Sequence, residues 1–223
     1  MNSPARERWV WVTKNSEPVG RHLDALTITS RLCHPMLIGD PSIFAIESEI
    51  TQAFERRSLL ALGFFALHVH GHCYGVRTRD ATIMANSFDA VTERIAGLGR
   101  HTASFVHEDA FEIARGFRDV LYNGCEPSSR IFGMRGDEFA NVVNSHDLTW
   151  APDGDAAFDD GSYVLQFDDQ DRVRLIAFRS DKQGAPAAET LRDIWLPGTA
   201  FYTLLRDWSD AFAAEWASLP KVQ

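Results

Sequence analysis

Three imidazoles stand two residues apart at His68, His70 and His72, with Cys73 directly after them. Alternate residues of a β-strand point to one face, so this spacing predicts a row of histidines suited to zinc or copper. Donors strung along one strand rarely converge on a single tetrahedral centre, however, and Gly71 interrupts the run. The simpler reading is a solvated polar face backing buried Phe65, Leu67 and Val69. On that ground neither a metal nor a cofactor is expected.

A second constellation is acidic. From Asp147 to Asp171 there are eight aspartates (147, 153, 155, 159, 160, 168, 169 and 171) and no lysine or arginine. A calcium loop counted from Asp153 would need an oxygen ligand at its fifth position and a glutamate at its twelfth. Those positions are Ala157 and Val164, so the motif is absent. Nothing in the spacing singles out two carboxylates for paired acid and base work. Charge runs are usually solvated loops; the functional alternative is a negative surface that steers a basic partner into place. Its candidate contacts are Asp153, Asp155, Asp159, Asp160, Asp168, Asp169 and Asp171, with Trp150 as an aromatic anchor. Phe158 and Tyr163 lie in the same stretch, although aromatics beside strands more often belong to a core.

Other chemistry finds no footing. There is no G-x-S-x-G elbow, no P-loop and no G-x-G-x-x-G. Cys125 follows Gly124 at the end of an expected helix, where the dipole disfavours a thiolate. His22, His34, His101, His107 and His146 have no evident serine or cysteine partner. No catalytic residue is expected, and the chain reads as a binding protein rather than an enzyme.

Length and balance narrow the class further. A chain of 223 residues that is 45% hydrophobic can bury one well-packed core. A net charge of −9 disfavours nucleic acid and anionic membranes and favours a basic partner. Three widely spaced cysteines form no C-x-x-C pair, which suits a reducing cytoplasm. No apolar run approaches the ~20 residues of a membrane span, and the first residues lack the apolar centre of a signal peptide. A cytoplasmic location is expected.

Residues 1–35 differ from the rest: they carry five basic and three acidic residues. Trp9 to Val12 and Leu26 to Ile28 read as short strands there. We read 1–35 as an N-terminal extension or leader, or as residues upstream of a start at Met36, in preference to an added edge element, and 36–223 as one domain. After the turn chemistry of Gly39-Asp40-Pro41, Phe44, Ile46, Ser48 and Ile50 alternate with Ala45, Glu47 and Glu49, predicting a half-buried strand. Because Asp-Pro also opens helices, a helix there stays open. A second strand is predicted over Leu62 to His70. Met84, Phe88, Val91, Ile95 and Leu98 step at helical spacing, as do Ala110, Ile113, Ala114, Phe117 and Leu121, with Asp109 placed as a cap. Phe201, Leu204, Leu205, Trp208, Phe212 and Trp216 make the third helix, between Pro197-Gly198 and Pro220. Ser162 to Phe167 and Arg172 to Phe178, joined by a polar turn, predict an antiparallel hairpin. Blocks of strands and helices argue for an α+β fold, a mostly antiparallel sheet packed against about three amphipathic helices.

Two segments resemble a known family. Ile38-Gly39-Asp40-Pro41 through Ile50 is similar to the opening of immunity 42 family proteins. Phe158-Asp159-Asp160-Gly161-Ser162-Tyr163 through Asp168, continuing in Arg172 to Phe178, resembles the hairpin near the end of that family's domain. The resemblance covers about Met36 to the last helix. It implies a protein of bacterial polymorphic toxin systems that binds a cognate toxin in the producing cell and blocks it. It supplies no catalytic or contact residues. The acidic surface suits a basic toxin of the nuclease type, whose groove is built for phosphates. Two readings from other classes stand beside it: a small metal-dependent hydrolase using His68, His70 and His72, and a housekeeping scaffold with a constitutive partner.

Overall fold

A tight turn joins the first two described strands. The Asp40 carboxylate accepts from the backbone N–H of Ser42 at 2.8 Å, and Pro41 follows it in the bend. The choice between strand and helix is thereby settled in favour of a hairpin, β1 (Met36–Asp40) and β2 (Phe44–Phe54), paired from Asp40↔Phe44 to Met36↔Ser48. The computed structural model describes residues 35–124, 130–154 and 156–223. The short strands expected within 1–34 lie outside the described residues, as do Cys125 and Asp155.

β3 (Ala61–Val69) returns antiparallel along β2. Between Ile50 and Gln52 the register slips, and Gly63 sits against this bulge. A Cβ on Gly63 would lie 1.8 Å from the Glu49 carbonyl oxygen, so only glycine fits there. β4 (His72–Tyr74) folds back on β3, and β5 (Thr82–Ile83) pairs with the start of β3. Helix α1 (Met84–Ala96) carries the expected stripe, but it ends before Leu98, which is exposed. α2 (Ala110–Leu121) is capped as expected, Asp109 accepting from the Glu112 N–H at 3.0 Å.

A ribbon of β6 (Arg130–Ile131) and β7 (Met134–Arg135) leads into α3 (Gly136–Ser145), a helix the sequence reading passed over. It has only ten residues, and Phe139 and Val143 are its buried hydrophobic contribution. Such a short stripe stands out poorly from its surroundings. β8 (Thr149–Ala151), β9 (Ser162–Asp169), β10 (Arg172–Arg179) and β11 (Arg192–Pro197) form a second antiparallel sheet in the order β11-β10-β9-β8. α4 (Gly198–Ser218) and β12 (Lys221–Val222) complete the chain, β12 running parallel to the end of β2. The class is α+β as expected, with four helices among the described residues.

The predicted hairpin is β9–β10, and its register explains its composition. Leu165 faces Ile176 and Phe167 faces Arg174, while Val164 faces Ala177. Tyr163, Leu165, Phe167, Ile176 and Phe178 therefore share one face, packed with Phe117, Phe139 and Phe105 from α2, α3 and the segment before α2. Val164, Val173, Leu175 and Ala177 share the other, packed with Phe65, Trp208, Phe212 and the core face of β2–β3. Both faces of the sheet are buried, so its strands read as nearly unbroken apolar runs.

Candidate functional site

The histidine row does not form. β3 ends at Val69, and His70 and Gly71 make a two-residue turn with φ of +48° and +75°. Both central residues of such a turn need positive φ, which glycine takes without strain. His72 is thereby carried onto β4, opposite Val69. His68 lies on the opposite face of the sheet from Leu67 and Val69, beside Glu47, its Nε2 2.7 Å from Oε2. His70 is exposed at the turn, and His72 faces Arg192, whose Nε donates to Nδ1 at 2.9 Å. Three imidazoles that share a face only in an extended strand thus point to three surroundings. The hydrolase reading built on them loses its ligand set.

The acidic stretch is divided as well. β9 runs through its middle, seven residue steps or about 23 Å at the usual rise, so Asp159 and Asp160 sit at one end and Asp168, Asp169 and Asp171 at the other. Asp153 accepts from Ser87 Oγ at 3.0 Å. Asp160 is half-buried, pairing with Arg179 at 2.9 Å and accepting from the Gly75 N–H. Asp169 lies between His107 and Arg172. Asp159 and Asp171 are exposed. Trp150 is buried in the core, tilted against Phe44 and edge-on to Phe201. As an anchor for a partner it has no accessible face, because β8 delivers it inward.

Asp168 is the unexpected member. It is buried, and its carboxylate accepts from Tyr202 Oη at 2.8 Å, from the Gly99 N–H at 2.8 Å and from the His101 N–H at 3.3 Å. Gln166 joins it to Arg94, whose guanidinium donates to the Gln166 side chain and to the carbonyls of Asp147 and Thr149. Burial pushes Arg94 down to about 10, so it stays charged at neutral pH. Burial, with the nearby Asp168 carboxylate, holds the Tyr202 phenol above its ordinary value. The sequence carried no sign of this network because its members lie up to 108 residues apart, at 94, 101, 166, 168 and 202. Above it, Leu98, Gly99, Gln170, Asp171, Tyr202 and Arg206 line a cleft of about 360 Å³ at the tip of the hairpin.

His101 gives the network a pH dependence. Burial first, and Arg94 second, hold its imidazole below the ordinary value of 6.5. The unfolded chain then takes up a proton that the folded chain refuses. The stability this contributes is present above the ordinary value and is lost as pH falls below it. Melting temperature should drop between about pH 8 and about pH 5.5, the range in which histidine titrates. His101→Asn, which keeps a donor for the Asp147 carbonyl, should flatten part of that slope. Equal slopes for the two proteins would remove His101 as the cause.

On the same face of the first sheet as His68, Glu47 is buried between His68 and Arg77, whose Nη2 lies 2.6 Å from Oε1. Cys73 pairs with His68 across β3 and β4. Glu47 stands opposite Ala66 and so one diagonal step from His68. The separation of Glu47 from His68 by 21 residues hid a contact that only the β2–β3 register creates.

Comparison with known proteins supplies the class. Residues 36–211 match the sequence profile of a family described as Immunity protein 42. No curated protein matches the chain. Among solved structures, CdiI from Burkholderia dolosa AUO158 is similar, at 15% identity and a TM-score of 0.49, with 79% of this chain and 99% of that one covered. No described helix is long and apolar enough to cross a membrane. Since the profile match takes in the whole second sheet, all of the first but β12, and most of the last helix, the chain belongs to the Immunity protein 42 family.

Proposed function

We propose that this protein binds a cognate bacterial toxin stoichiometrically and neutralises it by covering its active site. Membership of the immunity family is the observation that carries the reading. The net charge of −9 favours a basic toxin, of which a nuclease is the natural type. Exposed Asp159 and Asp171, at opposite ends of β9, are the carboxylates best placed to act at long range without disturbing the fold. Asp160 and Asp168 belong instead to the internal architecture. The decisive test is co-expression with the toxin domain encoded beside this protein. Growth should return to a host that the toxin alone arrests, and the two chains should co-purify at one to one. Failure of both ends the proposal.

Steering is tested separately. Asp159→Lys and Asp171→Lys together should slow association by about tenfold at low ionic strength, with the difference shrinking as salt is added. Made singly, they report which end of β9 faces the toxin. Association rates unchanged at low salt would show that these charges do not steer.

A further inference from the structure

We propose that Glu47, His68 and Cys73 form a binding site for a single zinc ion on the face of the first sheet that Phe65, Leu67 and Val69 turn away from. Their ligand atoms all lie within 4.8 Å of one another, and they come from three adjacent strands, β2, β3 and β4. Carboxylate oxygen, imidazole nitrogen and thiolate sulfur are the donor types zinc takes, at about 2.0–2.3 Å. Donors on one such ion stand about 3.3–3.6 Å apart, so movement on the order of 1 Å closes the set. The Glu47–His68 hydrogen bond already holds two of the three ligand atoms 2.7 Å apart.

The surroundings are organised as ligand sites usually are, with outer groups fixing the inner ones. Arg77 holds Oε1 of Glu47 and leaves Oε2 to the ion. The Cys73 carbonyl accepts from Arg179 at 2.7 Å, and Arg179 is itself fixed by Asp160. A carboxylate and a thiolate together cancel the charge of a divalent ion, which suits a half-buried position. Three protein donors leave a fourth coordination position for water. Binding displaces the thiol proton of Cys73 to solvent, moves the Nε2 proton of His68 to Nδ1 or to solvent, and replaces the Glu47–His68 hydrogen bond by two metal bonds. The ion would tie three strands together at the edge where β4 turns back on β3.

The test uses the full chain carrying Cys33→Ser and Cys125→Ser, which leaves Cys73 as its single thiol. Cobalt(II) should bind at one equivalent and give the thiolate-to-metal charge-transfer band, and zinc should displace it. Zinc should also slow the reaction of Cys73 with a thiol reagent and raise the melting temperature. His68→Gln and Arg77→Ala should each weaken binding about tenfold or more, and Cys73→Ser should abolish the charge-transfer band. No charge-transfer band, or no zinc protection of the thiol, overturns the proposal without depending on whether any ligand variant folds. Persistence of the band in folded Cys73→Ser overturns it equally.

Discussion

Trp208→Ala is expected to destabilise the protein by about 3–5 kcal/mol, the range for a large aromatic removed from a packed core. Domains of this kind hold only about 5–15 kcal/mol in total, so the variant should sit near the edge of folding. The size follows from position. Trp208 is fully buried, with ring centroids 5.1 Å from Phe65 and 5.2 Å from Phe212, and 6.2 Å from Phe88 on α1. Its indole Nε1 donates to Ser48 Oγ at 3.0 Å, joining α4 to the middle of β2. Truncation thus opens a cavity where a sheet and two helices meet, and leaves the Ser48 hydroxyl without its donor. Guanidinium unfolding gives the measurement. A loss below about 1.5 kcal/mol would mean that the surrounding rings collapse into the space, contrary to this account.

Asp168→Ala should cost about 2–4 kcal/mol, because Tyr202, Gly99 and His101 lose an acceptor at once and each buried orphan donor costs about 1–3 kcal/mol. The cleft above the carboxylate lets water recover part of this, which keeps the figure below the full sum. Asp171→Ala, three residues away and exposed, should stay within about 0.5 kcal/mol of the parent. The pair separates folding from recognition in a segment where composition alone treats the aspartates as equivalent. If Asp168→Ala proved as mild as Asp171→Ala, the buried network would not be the support described above. Any loss of toxin binding in Asp168→Ala should track its loss of stability, whereas loss in Asp171→Lys should appear in a fully folded protein.

Local pattern announced the elements whose cause is local. The alternation from Phe44 to Ile50, the cap at Asp109, the stripe from Phe201 to Trp216 and the turn between Ser162 and Phe178 all appear where their spacing places them. What the spacing could not reveal depended on register. Tyr163, Leu165 and Phe167 form one side of a strand, and Val173, Leu175 and Ala177 one side of the next. Pairing Val164 with Ala177 puts those two sets on opposite faces of the sheet. The same limitation hid Glu47 from His68 and made Trp150 look available. The split of the histidine row is different in kind, because its signal stood in the sequence. Gly71 marked the place where extended spacing stops applying.

A hairpin with a packed core on each side also limits how such a protein can follow a changing adversary. A side chain altered between Val164 and Asp168 or between Val173 and Phe178 must satisfy one of two interiors, so drift there is answered by misfolding before it can alter recognition. Freedom to diverge is left to the turns and strand ends, where Asp159 and Asp171 reach solvent. A lineage of these proteins would then keep one inherited frame while its specificity is rewritten at the margins.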